Sequence, residues 1–253
     1  MIRIRNLWKR YGKIDVLKGL DLDVNEGEIL VILGRSGVGK SVLLRQIIGI
    51  EKPEKGTVEV NGELITNLKE NELYQAVKNM GMLFQGSALF DSMNLEDNTA
   101  FYMHEHGDPV TKKPFSPQEI HERVLHALDM VGLLGSEKKM PSELSGGMRK
   151  RAGLARLIVY RPSILLYDEP TTGLDPITAQ QINELIVQTQ NELKGTSIVV
   201  THDINSALYM ADRLALHEDG KISFIAEPEE FMKIDNPIIR FLRDSQTIKL
   251  RKK

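Results

Sequence analysis

The feature that most constrains the fold is a glycine-rich loop between an apolar segment and an amphipathic one. Residues 29–33 form a continuous apolar run, typical of a strand buried on both faces, and residues 41–50 carry apolar side chains at helical spacing. Between them, residues 34–41 match the pattern Gly-x-x-x-x-Gly-Lys-Ser/Thr. This order of strand, loop and helix predicts a phosphate-binding loop in an α/β fold.

The loop indicates how ATP would be held. Glycines let backbone N–H groups turn towards phosphate oxygens, and the start of the helix adds a partial positive charge. We expect Lys40 to reach the β- and γ-phosphates and Ser41 to ligate Mg²⁺. The alternative, a glycine-rich turn with a surface lysine, is disfavoured by the flanking strand and helix. The candidate nucleotide-binding residues here are Gly34, Arg35, Ser36, Gly37, Val38, Gly39, Lys40 and Ser41.

A second apolar run ends in two carboxylates. Residues 164–167 predict a buried strand, and Asp168 and Glu169 follow it directly. We expect Asp168 to hold Mg²⁺ through a water and Glu169 to orient or polarise the water that attacks the γ-phosphate. Alone, such a pair is usually an exposed turn. The phosphate loop in the same chain favours a role in hydrolysis.

Small residues mark a third motif. Ser145, Gly146 and Gly147, within residues 144–148, stand at a predicted helix start where exposed N–H groups could contact phosphate. Taken with the phosphate loop before it and Asp168 and Glu169 after it, this motif resembles the signature of ABC-type ATPases. The resemblance covers residues 2–242, and its motifs stand in the family's order.

The resemblance implies roles for four further residues. Tyr11 matches the aromatic residue that stacks on adenine, although a strand-end tyrosine could imitate it. Gln85 matches the glutamine that contacts Mg²⁺ or the attacking water. Asp175 lies in the loop that crosses the dimer interface, and His202 matches the switch histidine at the γ-phosphate. A lone histidine after a strand is more often structural, but its place after the other motifs favours the switch role.

The resemblance also implies an assembly. In this family two copies meet head to tail, so that ATP bound by Lys40 of one copy faces Ser145 and Gly147 of the other. Closure on ATP and opening after hydrolysis would form the power stroke. A membrane permease would receive that motion through the segment that follows Gln85.

One departure narrows the resemblance. Met148 stands where the family at large most often has Gln, and residues 140–151 and 82–94 resemble the ATPase of MCE-associated lipid transporters such as the Mla phospholipid system. This implies a two-copy permease, a periplasmic MCE protein, phospholipid cargo and, in some systems, a STAS-domain protein. It places the chain peripherally on the cytoplasmic face of the bacterial inner membrane. The cargo rests on the resemblance alone.

Composition excludes other classes. The chain has 253 residues, of which 41% are hydrophobic, so it can bury a sizeable core. Lys and Arg total 33 against 35 Asp and Glu, so we expect no nucleic-acid partner. The absence of Cys removes disulfides and thiol chemistry and suits a reducing compartment. We expect neither a secretion signal at the amino terminus nor a membrane-spanning helix.

The pattern along the chain predicts three parts. Residues 1–88 and 161–235 would form the ATP-binding core, with alternating apolar residues before residue 24 predicting an N-terminal antiparallel β subdomain. Residues 89–160 would form an inserted α-helical signature subdomain, and residues 236–253 a tail. In residues 57–62 a strand should enter a tight hairpin at Asn61 and Gly62.

Within the helical part, residues 104–117 read as a loop. Ser116 and Glu119 then predict a capping box with Pro117 at the first helical position, and Gly132 can end this helix. In the tail, our hypothesis is that the apolar side chains form a short helix face against another subunit. They are Ile238, Ile239, Phe241 and Leu242.

Three other functions compete. Another ABC importer or exporter with a non-lipid cargo would share the same motifs. A soluble mechanical ABC ATPase would usually carry a second ATPase domain or a long coiled-coil insertion, and we expect neither in this protein. A phosphate-loop kinase would explain Lys40 and Ser41 but not the signature, Glu169 and His202 together.

Overall fold

The computed structural model describes residues 2–108, 111 and 113–246, with side chains up to residue 241. Its N-terminal sheet has four antiparallel strands in the order β2-β1-β4-β5. These strands are β1 (Ile2–Tyr11), β2 (Ile14–Val24), β4 (Lys55–Val60) and β5 (Glu63–Leu64). The alternation of buried and exposed residues along β1 and β2 explains this half-exposed sheet.

The second sheet has six strands in the order β10-β9-β3-β8-β7-β6. They are β3 (Ile29–Leu33), β6 (Met80–Leu83), β7 (Ile164–Asp168), β8 (Thr196–Thr201), β9 (Arg213–Glu218) and β10 (Lys221–Ala226). All neighbours pair in parallel except β10, which runs antiparallel to β9. Every residue of β3, β7 and β8 is buried, as expected of strands covered on both faces.

Nine helices are present in the described part of the chain. They are α1 (Lys40–Ile47), α2 (Glu70–Val77), α3 (Leu95–Glu105), α4 (Pro117–Met130), α5 (Gly146–Ile158), α6 (Pro176–Leu193), α7 (Ile204–Met210), α8 (Pro228–Phe231) and α9 (Pro237–Gln246). Helices α3, α4 and α5 come between β6 and β7 in the sequence, and they pack against each other. The architecture confirms the expected α/β class with an antiparallel β part and an inserted helical part.

The central strand β3 separates two hydrophobic clusters. Leu30 and Ile32 pack in one cluster with the N-terminal sheet and α1. Val31 and Leu33 pack in the other with the inserted helices and with α6 and α7. Because alternate residues of a strand point to opposite faces, β3 fixes the phosphate loop between two cores.

Local signals explain several turns. Asn61 and Gly62 have φ values of 50° and 85°, which confirms the predicted hairpin turn. Ser116 Oγ accepts a hydrogen bond from the N–H of Glu119 at 3.2 Å, but the Glu119 carboxylate pairs with Arg123 at 2.8 Å instead of completing the capping box. Gly132 has φ 66° just after α4, as expected.

Two predicted boundaries are wrong. Helix α1 ends at Ile47, not at residue 50, because Gly49 has a left-handed φ of 76°. The segment 104–117 is not a loop at its start, since α3 continues to Glu105 before its backbone turns extended at His106. The capping Asn94, whose side chain accepts from the N–H of Asp97 at 2.9 Å, was a local signal for this helix.

The tail begins with a helix that packs on its own chain. Ile239 is fully buried in the hydrophobic core and Ile238 packs against it. The prediction that Ile239 faces another subunit is therefore wrong, because its own core covers it, whereas Ile238 is only partly buried and its contact with another subunit stays a prediction. Phe241 is 71% exposed, and the side chain of Leu242 lies outside the described residues. None of the described helices combines the length and apolar character that crossing a bilayer requires.

Candidate functional site

A cavity of about 320 Å³ opens where β3 passes into α1. It is lined by residues of β1 and β2 of the N-terminal sheet, of the phosphate loop and α1, and of the loops after β6, β7 and β8, at the carboxyl end of the parallel strands. The predicted site residues that line it are Tyr11, Ser36, Gly37, Gly39, Lys40, Ser41, Gln85, Glu169 and His202. Val16, Val42 and Thr172 also line it, and the sequence had not marked them.

The loop requires its glycines. Gly37 and Gly39 have φ values of 83° and 106°, and a Cβ on Gly39 would lie 2.6 Å from Val16 Cγ1. A Cβ on Gly34 would meet the main-chain oxygen of His217 at 2.8 Å. The loop therefore wraps closely around the cavity, and a side chain at these positions would push it out of place.

Lys40 is held at the centre of the loop. Its side chain is 5% exposed, and Nζ donates to the main-chain oxygens of Gly34 at 2.8 Å and Arg35 at 3.2 Å. The same ammonium pairs with Glu169 Oε1 at 3.1 Å. These contacts fix a buried positive charge at the cavity wall, where it suits a polyphosphate. The main-chain oxygen of Arg35 also accepts a hydrogen bond from the N–H of Val38 at 3.5 Å, and this bond closes the turn.

Two side chains whose oxygens could ligate a metal ion lie together beside the loop. Ser41 Oγ donates to Asp168 Oδ1 at 2.7 Å. Burial raises the pKa of Asp168, and the hydrogen bond from Ser41 opposes this effect. A hydroxyl with one carboxylate is a donor set that fits Mg²⁺, which completes its octahedral shell with waters and phosphate oxygens. The described residues contain no cluster of three or more His, Cys, Asp or Glu that could hold a metal by themselves.

Glu169 is the most constrained acid of the site. Its backbone is left-handed, with φ 49°, which places its side chain towards the cavity. Oε2 accepts from Thr172 Oγ1 at 3.1 Å and lies 2.8 Å from His202 Nδ1. Burial opposes ionisation, but Lys40 and His202 together hold the pKa of Glu169 below its ordinary value. The carboxylate is therefore charged at neutral pH.

Tyr11 forms one edge of the cavity. Its ring is 41% exposed, and its hydroxyl donates to the carboxylate of Glu51. Arg45, in the last turn of α1, pairs with the same carboxylate at 3.1 Å. Burial and the neighbouring Glu51 raise the pKa of Tyr11 to about 12. An exposed aromatic face anchored to the phosphate-loop helix can stack on a flat ring.

Gln85 also lines the cavity. It is exposed, in the segment that follows β6. Its main-chain oxygen accepts a hydrogen bond from Lys150, a residue of α5 that is only 6% exposed. Burial lowers the pKa of Lys150, while Asp168 and Glu169 oppose this effect. Sequence reasoning missed Lys150, because its contact joins positions 65 residues apart.

The remaining predicted residues lie away from the cavity. Ser145 caps α5 by accepting from the N–H of Met148 at 3.2 Å, and Asp175 caps α6 by accepting from Ile177 and Thr178 at 3.0 Å. A Cβ on Gly147 would lie 2.7 Å from Thr178 Cγ2, so the starts of α5 and α6 are neighbours. Gly146 lies beside Leu174, the residue that directly precedes Asp175. These residues form a second surface instead of joining the first.

A buried histidine beneath the loop escaped the sequence reasoning. His217 is 1% exposed, and neither ring nitrogen has a hydrogen-bond partner among the described residues. Burial, aided by the charge of Lys40, lowers the pKa of His217 to about 4. Its position at the end of an apolar strand was a weak signal, since only tertiary packing shows that it is buried.

His217 should make stability depend on pH. Because its folded pKa of about 4 lies below the unfolded value, the unfolded chain binds the proton first as the pH falls. We expect His217 to lower the free energy of unfolding by about 2 kcal/mol when the pH falls from 7 to 5. Urea denaturation of His217→Leu and of the parent at both pH values measures this loss of free energy. Equal losses in the two proteins would contradict this prediction.

The cavity and its wall define a phosphate-loop nucleotide-binding site. A glycine loop at a helix start, a buried lysine, a hydroxyl beside a carboxylate and a second ionised carboxylate meet in one place. A family model described as ABC transporter matches residues 17–172. The chain belongs to this family and is an ATP-binding subunit that hydrolyses ATP.

Relatives include three transport proteins. The chain is 41% identical over 239 residues to the probable ribonucleotide transport ATP-binding protein mkl of Mycobacterium leprae, covering 94% of this chain and 67% of that protein. It is 40% identical to the intermembrane phospholipid transport ATP-binding protein MlaF of Haemophilus influenzae, covering 96% and 90%. It is 36% identical to the methionine import protein MetN of Clostridium tetani, covering 98% and 76%. The chain thus spans about two thirds of the mycobacterial relative.

Solved structures share the fold. The ATP-binding cassette MJ0796, in a dimeric post-hydrolysis state with ADP and Pi, superposes with a TM-score of 0.80 at 30% identity. The match covers 90% of this chain and 99% of the cassette. CbiO1 of Clostridium perfringens, part of an ABC transporter complex, matches with a TM-score of 0.80 at 28% identity, covering 97% and 98%. These likenesses confirm the ABC-type ATPase fold.

Proposed function

We propose that the chain is the ATPase of a phospholipid transport system, in which two copies drive a membrane permease. One observation carries the two-copy part. The surface that contains Ser145, Gly147 and Asp175 lies outside the cavity of Lys40 in the same chain. A second copy placed head to tail would bring that surface to the γ-phosphate. The dimeric MJ0796 cassette supports this arrangement.

The site residues suggest a division of roles. The loop residues 34–41 would wrap the phosphates of ATP, Lys40 would contact the β- and γ-phosphates, and Tyr11 would stack on adenine. Ser41, Asp168 and Gln85 would hold Mg²⁺, which when bound neutralises charge on the β- and γ-phosphate oxygens.

Hydrolysis would depend on Glu169. Its ionised carboxylate can accept a hydrogen bond from the attacking water and orient it towards the γ-phosphate. His202 would contact the γ-phosphate from a position fixed by Glu169 Oε2, at 2.8 Å. Gln85, which also lines the cavity, would help to orient the same water. Water attack would give ADP and phosphate.

The parts of the chain would divide this work. Residues 1–88 and 161–235 would bind ATP, and residues 89–160 would present the signature to the second copy. The permease would contact the segment after Gln85, so that closure of the dimer moves the membrane partner. We place the protein on the cytoplasmic face of the bacterial inner membrane, held there by that permease, with residues 236–253 as a C-terminal tail.

Similarity to phospholipid transport proteins supports the proposed cargo. MlaF, a phospholipid transport protein, matches over 90% of its length, and TRIGALACTOSYLDIACYLGLYCEROL 3 of Arabidopsis thaliana matches at 35% identity. Residues 140–151, with Met148 in the signature, carry the same resemblance in sequence. We therefore propose a periplasmic MCE lipid-binding protein as a further partner, with a STAS-domain protein on the ATPase in some systems.

A pull-down tests this assignment. The chain with Glu169→Gln would be purified from native membranes in the presence of Mg-ATP, and proteins and bound lipids identified by mass spectrometry. We expect a permease, an MCE protein and phospholipid. Recovery of a permease for a polar solute, as the likeness to MetN would allow, would leave the ATPase in place and overturn the lipid cargo.

A further inference from the structure

One face of α5 lies against the segment that carries Gln85. Lys150, Gly153 and Arg156 are spaced three residues apart and share this face of the helix. All three lie against residues 85–90, in the segment that follows β6. We call residues 84–90 the glutamine segment.

Each contact is of a different kind. Lys150 donates its ammonium to the main-chain oxygen of Gln85, and Arg156 donates to that of Ala88. The Arg156 guanidinium also lies 4.4 Å from the centre of the Phe90 ring. Between them, a Cβ on Gly153 would lie 3.0 Å from Ser87 Cβ, so the helix and the segment touch without space for a side chain.

The glutamine segment needs this support. Ser87 and Ala88 have φ values of 63° and 48°, a left-handed backbone that residues with a Cβ adopt only where their surroundings hold them. Within the segment, the N–H of Ser87 donates to the oxygen of Phe84 at 2.9 Å. The contacts from α5 hold the segment at Gln85 and at Ala88.

Of these three residues of α5, Lys150 is the one that contacts a residue lining the cavity. It is 6% exposed, and Asp168 and Glu169 are close enough for their charges to act on it. A buried ammonium must satisfy its donors, and here it does so with the main chain of an exposed residue that lines the cavity. The backbone of Gln85 is thereby tied to α5.

We propose that Lys150 is a positioning residue for ATP hydrolysis: its hydrogen bond fixes the backbone of Gln85, so that the Gln85 side chain stays at the edge of the cavity. This role rests on the proposed role of Gln85 in orienting the attacking water. Ser145 caps the start of α5 and belongs to the surface proposed to face the nucleotide of the second copy. Lys150 thus links that surface to the Gln85 of its own chain.

Three variants of the full chain test this link. Lys150→Met keeps an unbranched apolar stem and removes the donor, whereas Lys150→Gln keeps an N–H donor without the charge. Lys138→Met is the matched control, since Lys138 is 82% exposed and lies away from the cavity. Steady-state ATPase assays give kcat and KM, and equilibrium binding of a fluorescent ATP analogue gives Kd.

We expect Lys150→Met to lower kcat at least about tenfold, because a small displacement of an orienting group is costly. KM and the analogue Kd should change less than threefold. Lys150→Gln should retain more kcat than Lys150→Met, and Lys138→Met should match the parent. A kcat for Lys150→Met within twofold of the parent would overturn this role, as would parallel losses of kcat, analogue binding and melting temperature.

A double variant separates this role from that of Gln85. If Lys150 acts through Gln85, Lys150→Met should add less than twofold to the kcat loss of Gln85→Ala, and multiplied losses would refute the link. If Gln85→Ala lowers kcat and Lys150→Met does not, only the proposed role of Lys150 is wrong. If Gln85→Ala keeps the parental kcat, the proposed role of Gln85 falls first and that of Lys150 with it.

Discussion

Replacing Lys40 with alanine should abolish tight ATP binding. Lys40 is the one lysine or arginine among the described residues that line the nucleotide cavity. Its ammonium is already buried, and hydrogen bonds to the main-chain oxygens of Gly34 and Arg35 hold it in place. A charged hydrogen bond of this kind contributes roughly 3 kcal/mol, so we expect Kd to rise about 100-fold. Isothermal titration with Mg-ATP measures this change.

Folding must be separated from binding in this experiment. Without Lys40, the buried carboxylate of Glu169 keeps His202 as a partner but loses its strongest one. We therefore expect a lower melting temperature for Lys40→Ala. The double variant Lys40→Ala with Glu169→Gln removes the orphaned charge, and it should recover much of the stability without recovering ATP affinity. Recovery of affinity together with stability would show that Lys40 acts only through folding.

The sequence predicted those parts of the fold that depend on neighbouring residues. The apolar runs of β3 and β7, the turn at Asn61 and Gly62 and the ends of α4 are all encoded within a few positions. By contrast, β6 and α2 were missed. Four residues that include a glycine make β6 a weak strand signal, and it becomes a strand because it pairs with β7.

The site divides in the same way. Lys40, Ser41, Asp168 and Glu169 follow from motifs that end buried strands, and the structure brings them into contact. The contact of Lys150 with Gln85 and the burial of His217 depend on packing between distant segments. No local pattern can show such contacts. The apolar pattern of the tail predicted a covered helix face, but it could not show that the surface covering Ile239 belongs to the same chain.

Fold and site together explain why one chain carries two separate surfaces. The phosphate loop is fixed by the parallel sheet between two cores, while the signature starts α5 in the inserted helices. Contacts between α5 and the segment after β6 form one physical connection between them. Movement of the helices relative to the sheet would therefore displace Gln85, which lines the same cavity as the carboxylate that we expect to orient the water.

Glu169→Gln tests that carboxylate with the smallest change of shape. Glutamine can keep an oxygen near Thr172 and a polar contact to His202, but it cannot act as an ionised acceptor for the water. We expect kcat for ATP to fall at least about 100-fold, with Kd for ATP within threefold of the parent. Glu122→Gln, the same change on the exposed surface of α4, should behave as the parent.

The two expected results diverge most clearly in what accumulates. Because Glu169→Gln should bind ATP and fail to hydrolyse it, an ATP-bound dimer should build up and elute early in size-exclusion chromatography with Mg-ATP. Lys40→Ala should remain in its ATP-free form under the same conditions. If both variants lost ATP binding equally, the buried pair that joins them at 3.1 Å would serve binding alone, and the division of roles between Lys40 and Glu169 would be wrong.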